Sequence, residues 1–244
     1  MSPENLIEVS RLKAGFGDIK VLRGIDLNLK AKGRIGIFGP NGHGKTTLLE
    51  VLSGLVKPWS GEVLYQGKSI LRSSAREIVA AGLVHVPQGN VLFPRMTVWE
   101  NLSAGAFLKP ARARLRQNLD KVLTLFPRLA ERRNQKASTL SGGERQMLAI
   151  GAGIMAQGRV MMLDEPTLGL SPLIRQELSR AIDTITREGV AMILVEQDFN
   201  FMSALVDRVY MIEEGRVVFQ DRPQAVDLEK ISRMYFGGGG AEAC

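Results

Sequence analysis

Hydrophobic and polar positions alternate through the first seventy residues in short runs punctuated by glycine. Leu6-Ile7-Glu8-Val9-Ser10 and Val21-Leu22-Arg23-Gly24-Ile25-Asp26-Leu27 mix β-branched and polar positions, which predicts half-buried strands. Arg34 to Phe38 reads as a short buried strand ending at Gly39. Lys45 to Leu55 is helix-like, with Leu48, Leu49, Val51, Leu52 and Leu55 forming a broad apolar stripe. Gly61 to Gly67 and Leu83 to Val86 return to strand character, the second stopped by Pro87. From Val98 to Gln157 the spacing is mostly helical, with Leu119, Val122, Leu123 and Phe126 three and four residues apart ahead of Pro127. Val160 to Leu163 and Val190 to Val195 are predicted core strands. Between them Ile174, Leu178, Ile182 and Ile185 mark one side of a helix over Leu173 to Glu188. Val209 to Phe219 predicts a hairpin turning at Glu214-Gly215, and the Gly237 to Gly240 run a frayed tail.

Strands that alternate with helices imply a mostly parallel sheet covered on both faces, an α/β fold, with a helical insertion near the middle. No internal repeat or long linker divides the chain. A single domain over residues 1–236 is expected, with its core in 1–87 and 158–236, a helical subdomain over about 88–157, and a tail at 237–244.

Composition narrows the function classes. Of 244 residues, 45% are hydrophobic and 23% charged, ordinary values that exclude disordered and collagen-like chains. The sole cysteine, Cys244, excludes an intramolecular disulfide, and two histidines, His43 and His85, argue against a histidine-built metal site. No secretion leader occupies Met1 to Lys13 and no apolar run reaches membrane-spanning length, so a soluble, cytoplasmic protein is expected. The formal net charge of +7 is local. Lys109, Arg112, Arg114, Arg116, Lys121, Arg128, Arg132, Arg133 and Lys136 face only Asp120 and Glu131 in their segment, and the remainder of the chain is neutral.

Two stretches carry phosphate chemistry. Gly39-Pro40-Asn41-Gly42-His43-Gly44-Lys45-Thr46 fits G-x-x-x-x-G-K-[ST] between a predicted strand and helix. Glycines let such a loop wrap a phosphate with its N–H groups inward, and the helix N-terminus adds positive potential. Lys45 is placed to reach β- and γ-phosphates, and the Thr46 hydroxyl to ligate Mg²⁺. His43 is expected to face solvent, its backbone mattering more than its ring. In Val160-Met161-Met162-Leu163-Asp164-Glu165, four apolar residues bury a strand and two carboxylates emerge at its carboxyl end. Asp164 suits the Mg²⁺ shell, and Glu165 a general base that polarises water.

Leu140-Ser141-Gly142-Gly143-Glu144-Arg145-Gln146, shortly before that second motif, resembles the signature of the ATPase subunits of ABC transporters, and the resemblance covers roughly Leu6 to Phe236. It implies a P-loop NTPase with an N-terminal antiparallel β subdomain and an inserted helical subdomain, using ATP and Mg²⁺. It implies that Ser141, Gly142 and Gly143 cap the γ-phosphate held by the opposite subunit of a head-to-tail dimer. Thr47 belongs to the same phosphate loop. Phe16 matches the residue that stacks on adenine, the alternative being an ordinary core phenylalanine. Gln88 matches the glutamine that senses Mg²⁺ and attacking water, and Gln197 falls where most members carry a histidine that contacts the γ-phosphate. Gly169-Leu170-Ser171-Pro172 matches the loop crossing the dimer interface, with Pro172 in place of the usual aspartate.

The run from Val86 to Leu102, together with Val195-Glu196-Gln197, is similar to the group importing branched-chain and other hydrophobic amino acids, and to the shorter of its two ATPase chains. That resemblance implies two transmembrane permease subunits, a periplasmic or surface solute-binding protein, and a peripheral place at the cytoplasmic face of the cell membrane. A urea or short-amide importer stays open as the substrate class. So does a soluble ABC ATPase acting on nucleic acid or ribosomes, although neither a second ATPase half nor a long coiled coil accompanies it. For the basic segment three readings stand: lipid or permease contact, nucleic acid, and a solvated face.

Overall fold

Two 12-residue strands, β1 (Asn5–Phe16) and β2 (Ile19–Lys30), pair antiparallel and begin a computed structural model that describes residues 5–89 and 91–227. Buried positions in β1 are Ile7 and Val9, then Leu12 and Ala14. The switch from odd to even follows a bulge at Arg11, whose φ is 47°, and the Arg11 N–H donates to Asp26 Oδ1 at 2.9 Å. Strand β3 (Arg34–Phe38) leads through the glycine-rich loop into α1 (Lys45–Leu52). Strands β4 (Ser60–Tyr65) and β5 (Lys68–Ser69) complete a four-stranded sheet of order β2-β1-β4-β5. Helix α2 (Ala75–Ala81) then precedes β6 (Leu83–Val86).

Among the described residues only helical elements separate β6 from the next strand: α3 (Val98–Gly105), α4 (Lys109–Ala113), α5 (Leu115–Leu125), α6 (Pro127–Glu131) and α7 (Gly142–Met155). The chain finishes its described part with β7 (Val160–Asp164), α8 (Pro172–Arg187), β8 (Ala191–Val195), α9 (Phe199–Ser203) and the hairpin β9 (Arg208–Glu213) and β10 (Arg216–Asp221). The tail expected at 237–244 lies outside the described residues, as does Asn90.

The second sheet has the order β10-β9-β3-β8-β7-β6, parallel throughout except for β10. Strands β3, β7 and β8 at its centre are buried on both faces, which is why they read as continuous apolar runs, whereas the edge strand β10 is largely exposed. The alternation nevertheless sorts them. Val160, Met162, Ile193 and Val195 face the antiparallel sheet and α1, whereas Met161, Leu163, Met192 and Leu194 face the core built with α3 to α8. Leu48, Leu49 and Leu52 of α1 are fully buried, each stabilising the fold by about 1.5–3 kcal/mol.

Local details depart from expectation in two places. Helix α1 ends at Leu52, not Leu55, because Gly54 (φ 74°) reverses the chain and leaves Leu55 63% exposed. Helix α2 is absent from the periodicity reading. Its signal is Ser74-x-x-Glu77, a capping box in which the Glu77 N–H donates to Ser74 Oγ at 3.3 Å and the Ser74 N–H to Glu77 Oε2 at 2.8 Å.

Candidate active site

Four neighbouring parallel strands, in the order β3-β8-β7-β6, release their following loops at one carboxyl edge. These loops bring Gly39 to Thr46, Glu196 and Gln197, Glu165, and Gln88 together, with Asp164 at the end of β7. Ligands of open α/β sheets bind at this edge. The cleft there has a volume of about 530 Å³ and is lined by Phe16, Val21, Asn41, Gly42, Gly44 to Thr47, Gln88, Glu165, Leu168 and Gln197.

The loop conformation demands glycine at two points. Gly39 has φ 149°, and a Cβ there would stand 2.0 Å from the Ile212 carbonyl oxygen of β9. Gly44 caps α1 at φ 100°, where a Cβ would meet Leu22 Cδ2 at 2.8 Å. Lys45 is 4% exposed, and its Nζ donates to the Gly39 and Pro40 carbonyls at 2.8 and 3.0 Å. Burial pushes the Lys45 pKa down, opposed by the carboxylates of Glu165 and Asp164. Thr46 is exposed to the cleft and Thr47 buried beneath it.

His43 behaves differently from expectation. Its ring is half-buried, and Nδ1 accepts from the Glu214 N–H at 3.0 Å, tying the phosphate loop to the β9–β10 turn. That turn is held in place in turn by the Arg23 N–H donating to the Gly215 carbonyl at 2.7 Å.

Asp164 is 1% exposed, and neither carboxylate oxygen has a partner in hydrogen-bond geometry. Burial pushes its pKa up, while the neighbouring Thr46 hydroxyl pulls the other way. An orphaned buried carboxylate beside a hydroxyl fits a cation that takes its remaining ligands from phosphate and water, as Mg²⁺ does. Among the described residues no cluster of three or more His, Cys, Asp or Glu could hold a metal unaided.

Glu165 follows with φ 46°, a left-handed conformation that costs a non-glycine residue roughly 1 kcal/mol or more. It is over-determined on three sides. Its N–H donates to the Val195 carbonyl at 2.9 Å, and Oε2 accepts from Gln88 Nε2 at 3.0 Å and Gln197 Nε2 at 2.8 Å. Glu196, to which the sequence reading gives no role, supports the same loop. It is 2% exposed and accepts the Thr167 N–H on Oε1 at 2.9 Å. Burial raises its pKa against the opposing Thr167 bond. A lone glutamate ending the six apolar residues Val190 to Val195 is the available signal.

Phe16 is 51% exposed at the cleft rim, so it is not a core residue. Ser141, Gly142 and Gly143 do not line the cleft. They open α7, with Ser141 as its cap: the Glu144 N–H donates to Ser141 Oγ at 3.3 Å and the Ser141 N–H to Glu144 Oε2 at 2.8 Å. Burial acts to raise the Glu144 pKa, but the Ser141 bonds and the Arg132 guanidinium, 2.7 Å from Oε1, hold it below the usual range. Pro172 occupies the first turn of α8 after the Ser171 cap, a place where its missing N–H costs nothing.

Residues 22–168 match the family model described as ABC transporter. The chain is 38% identical to BraG of Pseudomonas aeruginosa, a high-affinity branched-chain amino acid transport ATP-binding protein, over 96% of this chain and 100% of that one. It is 32% identical to LivF of Archaeoglobus fulgidus, a probable branched-chain amino acid transport ATP-binding protein, over 95% and 99%. Among solved structures it is similar to CbiO1 of Clostridium perfringens, part of the CbiONQ ABC transporter complex, with TM-score 0.80, 28% identity and 96% coverage of each chain. A cleft that gathers a phosphate loop and the strand-end carboxylates, in a fold shared with these proteins, has one reading: the chain belongs to the ABC transporter family, as one of its ATP-hydrolysing subunits.

Proposed function

We propose that this chain energises an importer of branched-chain or other hydrophobic amino acids, by closing head to tail with a second, identical or related ATPase chain around two ATP molecules. One observation carries the mechanistic part: Lys45, Thr46 and Glu165 share a cleft, while Ser141 to Gly143 lie outside it on an exposed helix start. A γ-phosphate at Lys45 therefore draws its second set of donors from another chain, because the N-terminus of α7 offers them only outward. Similarity to BraG and LivF supports the substrate class.

In this reading Phe16 stacks on adenine and the loop from Gly39 to Thr47 wraps the phosphates. Lys45 exchanges its two carbonyl contacts for β- and γ-phosphate oxygens. Asp164, Thr46 and Gln88 would hold Mg²⁺, which when bound neutralises phosphate charge. Glu165 takes the proton of the water that attacks the γ-phosphorus, and ADP and inorganic phosphate leave. Gln88 and Gln197 aim its carboxylate by neutral amide donors, so no charge at position 197 takes part.

Each of the two permease subunits would dock on one ATPase chain, here in the apolar groove of about 210 Å³ between β6 and α7, where Val86, Pro87, Val91 and Phe107 meet Ala149 and Gly153. Phe93, Met96 and Trp99 are exposed in the segment that links β6 to α3. No helix of the described residues is long and apolar enough to cross a membrane, and this groove supports peripheral attachment at the cytoplasmic face through the permease. A solute-binding protein delivers the amino acid to the far side.

The test is uptake of radiolabelled leucine by vesicles holding the permease pair, the binding protein and this chain. Uptake that needs ATP and disappears with Glu165→Gln supports the proposal. Transport of urea or short amides without leucine would overturn the substrate class.

A further inference from the structure

The +7 segment is not one patch. Lys121 pairs with Glu188, Arg128 with Glu177 at 3.3 Å, and Arg132 with Glu144 at 2.7 Å, each partner lying outside the segment. Those three cations hold the helices to α7 and α8. Lys109, Arg112, Arg114 and Arg116 are different: all four are exposed and, like Arg133 and Lys136 further along the chain, enter no ion pair among the described residues. They lie close along the chain, Lys109 and Arg112 on α4, Arg114 at the junction of the two helices and Arg116 at the start of α5. Leu108, Ala111, Leu115 and Leu119 pack against the core, and the cations between them stay exposed to solvent. Asp120 is the only acidic residue from Phe107 to Leu125.

We infer that this α4–α5 face binds an anionic phospholipid surface directly. Four unneutralised cations within eight residues make a short-range field that suits a plane of phosphate headgroups. Phe107, 47% exposed, stands at the edge of the cluster as an apolar side chain for the headgroup boundary. The same Phe107 lines the apolar groove beside α7, so the basic cluster begins at the rim of the proposed permease-docking groove. A subunit docked there presents the cluster toward the bilayer that holds the permease. That orientation rests on the docking reading above. Lipid binding by the isolated chain does not, so the two fail separately. Single-stranded nucleic acid is less well matched, because stacking needs several aromatic platforms and Phe107 is the only aromatic residue between Trp99 and Phe126.

The experiment is co-sedimentation of the full chain with vesicles of phosphatidylcholine alone or doped with phosphatidylglycerol. It compares the wild type with Lys109→Gln, Arg112→Gln, Arg114→Gln and Arg116→Gln, singly and combined. Binding should need phosphatidylglycerol and weaken as salt rises. It should fall about fivefold per substitution and several hundredfold in the quadruple variant. Binding of a fluorescent ATP analogue should stay unchanged, which shows that the variant is folded. Equal partition of wild type and quadruple variant, or no partition at low salt, overturns the proposal. Displacement by inorganic phosphate at an ionic strength where sodium chloride has no effect would identify a discrete anion pocket and also overturn it. So would wild-type binding to an RNA oligonucleotide, lost in the quadruple variant, without binding to vesicles.

Discussion

Acidification between pH 7 and pH 5 should destabilise this protein through a residue outside the ATP chemistry, His85 of β6. Its Nδ1 lies 3.2 Å from Ser53 Oγ, and the Ser53 hydroxyl donates to the Leu49 carbonyl at 2.9 Å. The ring therefore donates from Nδ1 and leaves Nε2 bare; that atom is buried with no partner. A second proton would sit on Nε2 with nothing to accept it, and burial pushes the His85 pKa down to about 4. The unfolded chain titrates at the ordinary value of about 6.5. Below that pH it binds a proton that the native state refuses, so stability is full above about 6.5 and falls as the pH drops. At about 1.4 kcal/mol per unit, the loss is about 2 kcal/mol by pH 5 and about 3 kcal/mol by pH 4. Carboxylates held below the usual range, such as Glu144, add their own losses only at more acid pH. Urea unfolding curves at several pH values, for the wild type and His85→Leu, read this directly. The wild-type midpoint should fall across the window relative to that of the variant, because the raised Asp164 and Glu196 carboxyls act equally in both proteins. Parallel pH profiles for the two proteins would refute the reasoning.

Three further outcomes follow from the site. Lys45→Ala should weaken ATP binding by about tenfold to a hundredfold, measured by fluorescent-nucleotide titration, because charge-assisted bonds to the phosphates are lost. Glu196→Ala leaves the Thr167 N–H without its buried acceptor and should cost about 1–3 kcal/mol in urea unfolding, whereas Glu196→Gln keeps an acceptor and restores most of it. Gln197→Ala removes one of two donors on Glu165 Oε2 and should lower kcat by about tenfold or more with KM unchanged, while Gln197→His should give kcat a new dependence on pH near the ordinary histidine value.

Much of this architecture is legible in the chain because its core strands are buried on both faces. Arg34 to Phe38, Val160 to Leu163 and Val190 to Val195 are apolar enough to be found without partners, and their positions imply the parallel sheet. Where a single residue shifts the pattern, periodicity fails. The Arg11 bulge moves buried positions from Val9 to Leu12, so alternation ends near Ser10 although β1 runs on to Phe16. Helix α2 buries only Ile78, too little for an apolar stripe, and its capping box is the stronger signal. In the site, glycine spacing and adjacent carboxylates mark the phosphate loop and the end of β7, because such chemistry needs fixed residue types. What local sequence does not carry is long-range support. The acceptance of the Glu214 N–H by His43 spans 171 positions, and the Glu196 bond to Thr167 spans 29. Both are consequences of strand order, which no local window contains.

The central claim is that each ATP site is completed by another chain, and mixing two inactive variants tests it most directly. Lys45→Ala disables the phosphate loop and Ser141→Arg blocks the start of α7, so each variant alone has both composite sites broken. A head-to-tail dimer of one with the other concentrates both lesions in one site and leaves the second intact. Mg²⁺-dependent ATP hydrolysis should therefore be absent from either variant and return on mixing, with a specific activity that rises with protein concentration. A mixture as inactive as its components, beside a wild type whose specific activity is independent of concentration, would contradict the account and place the whole reaction within one chain.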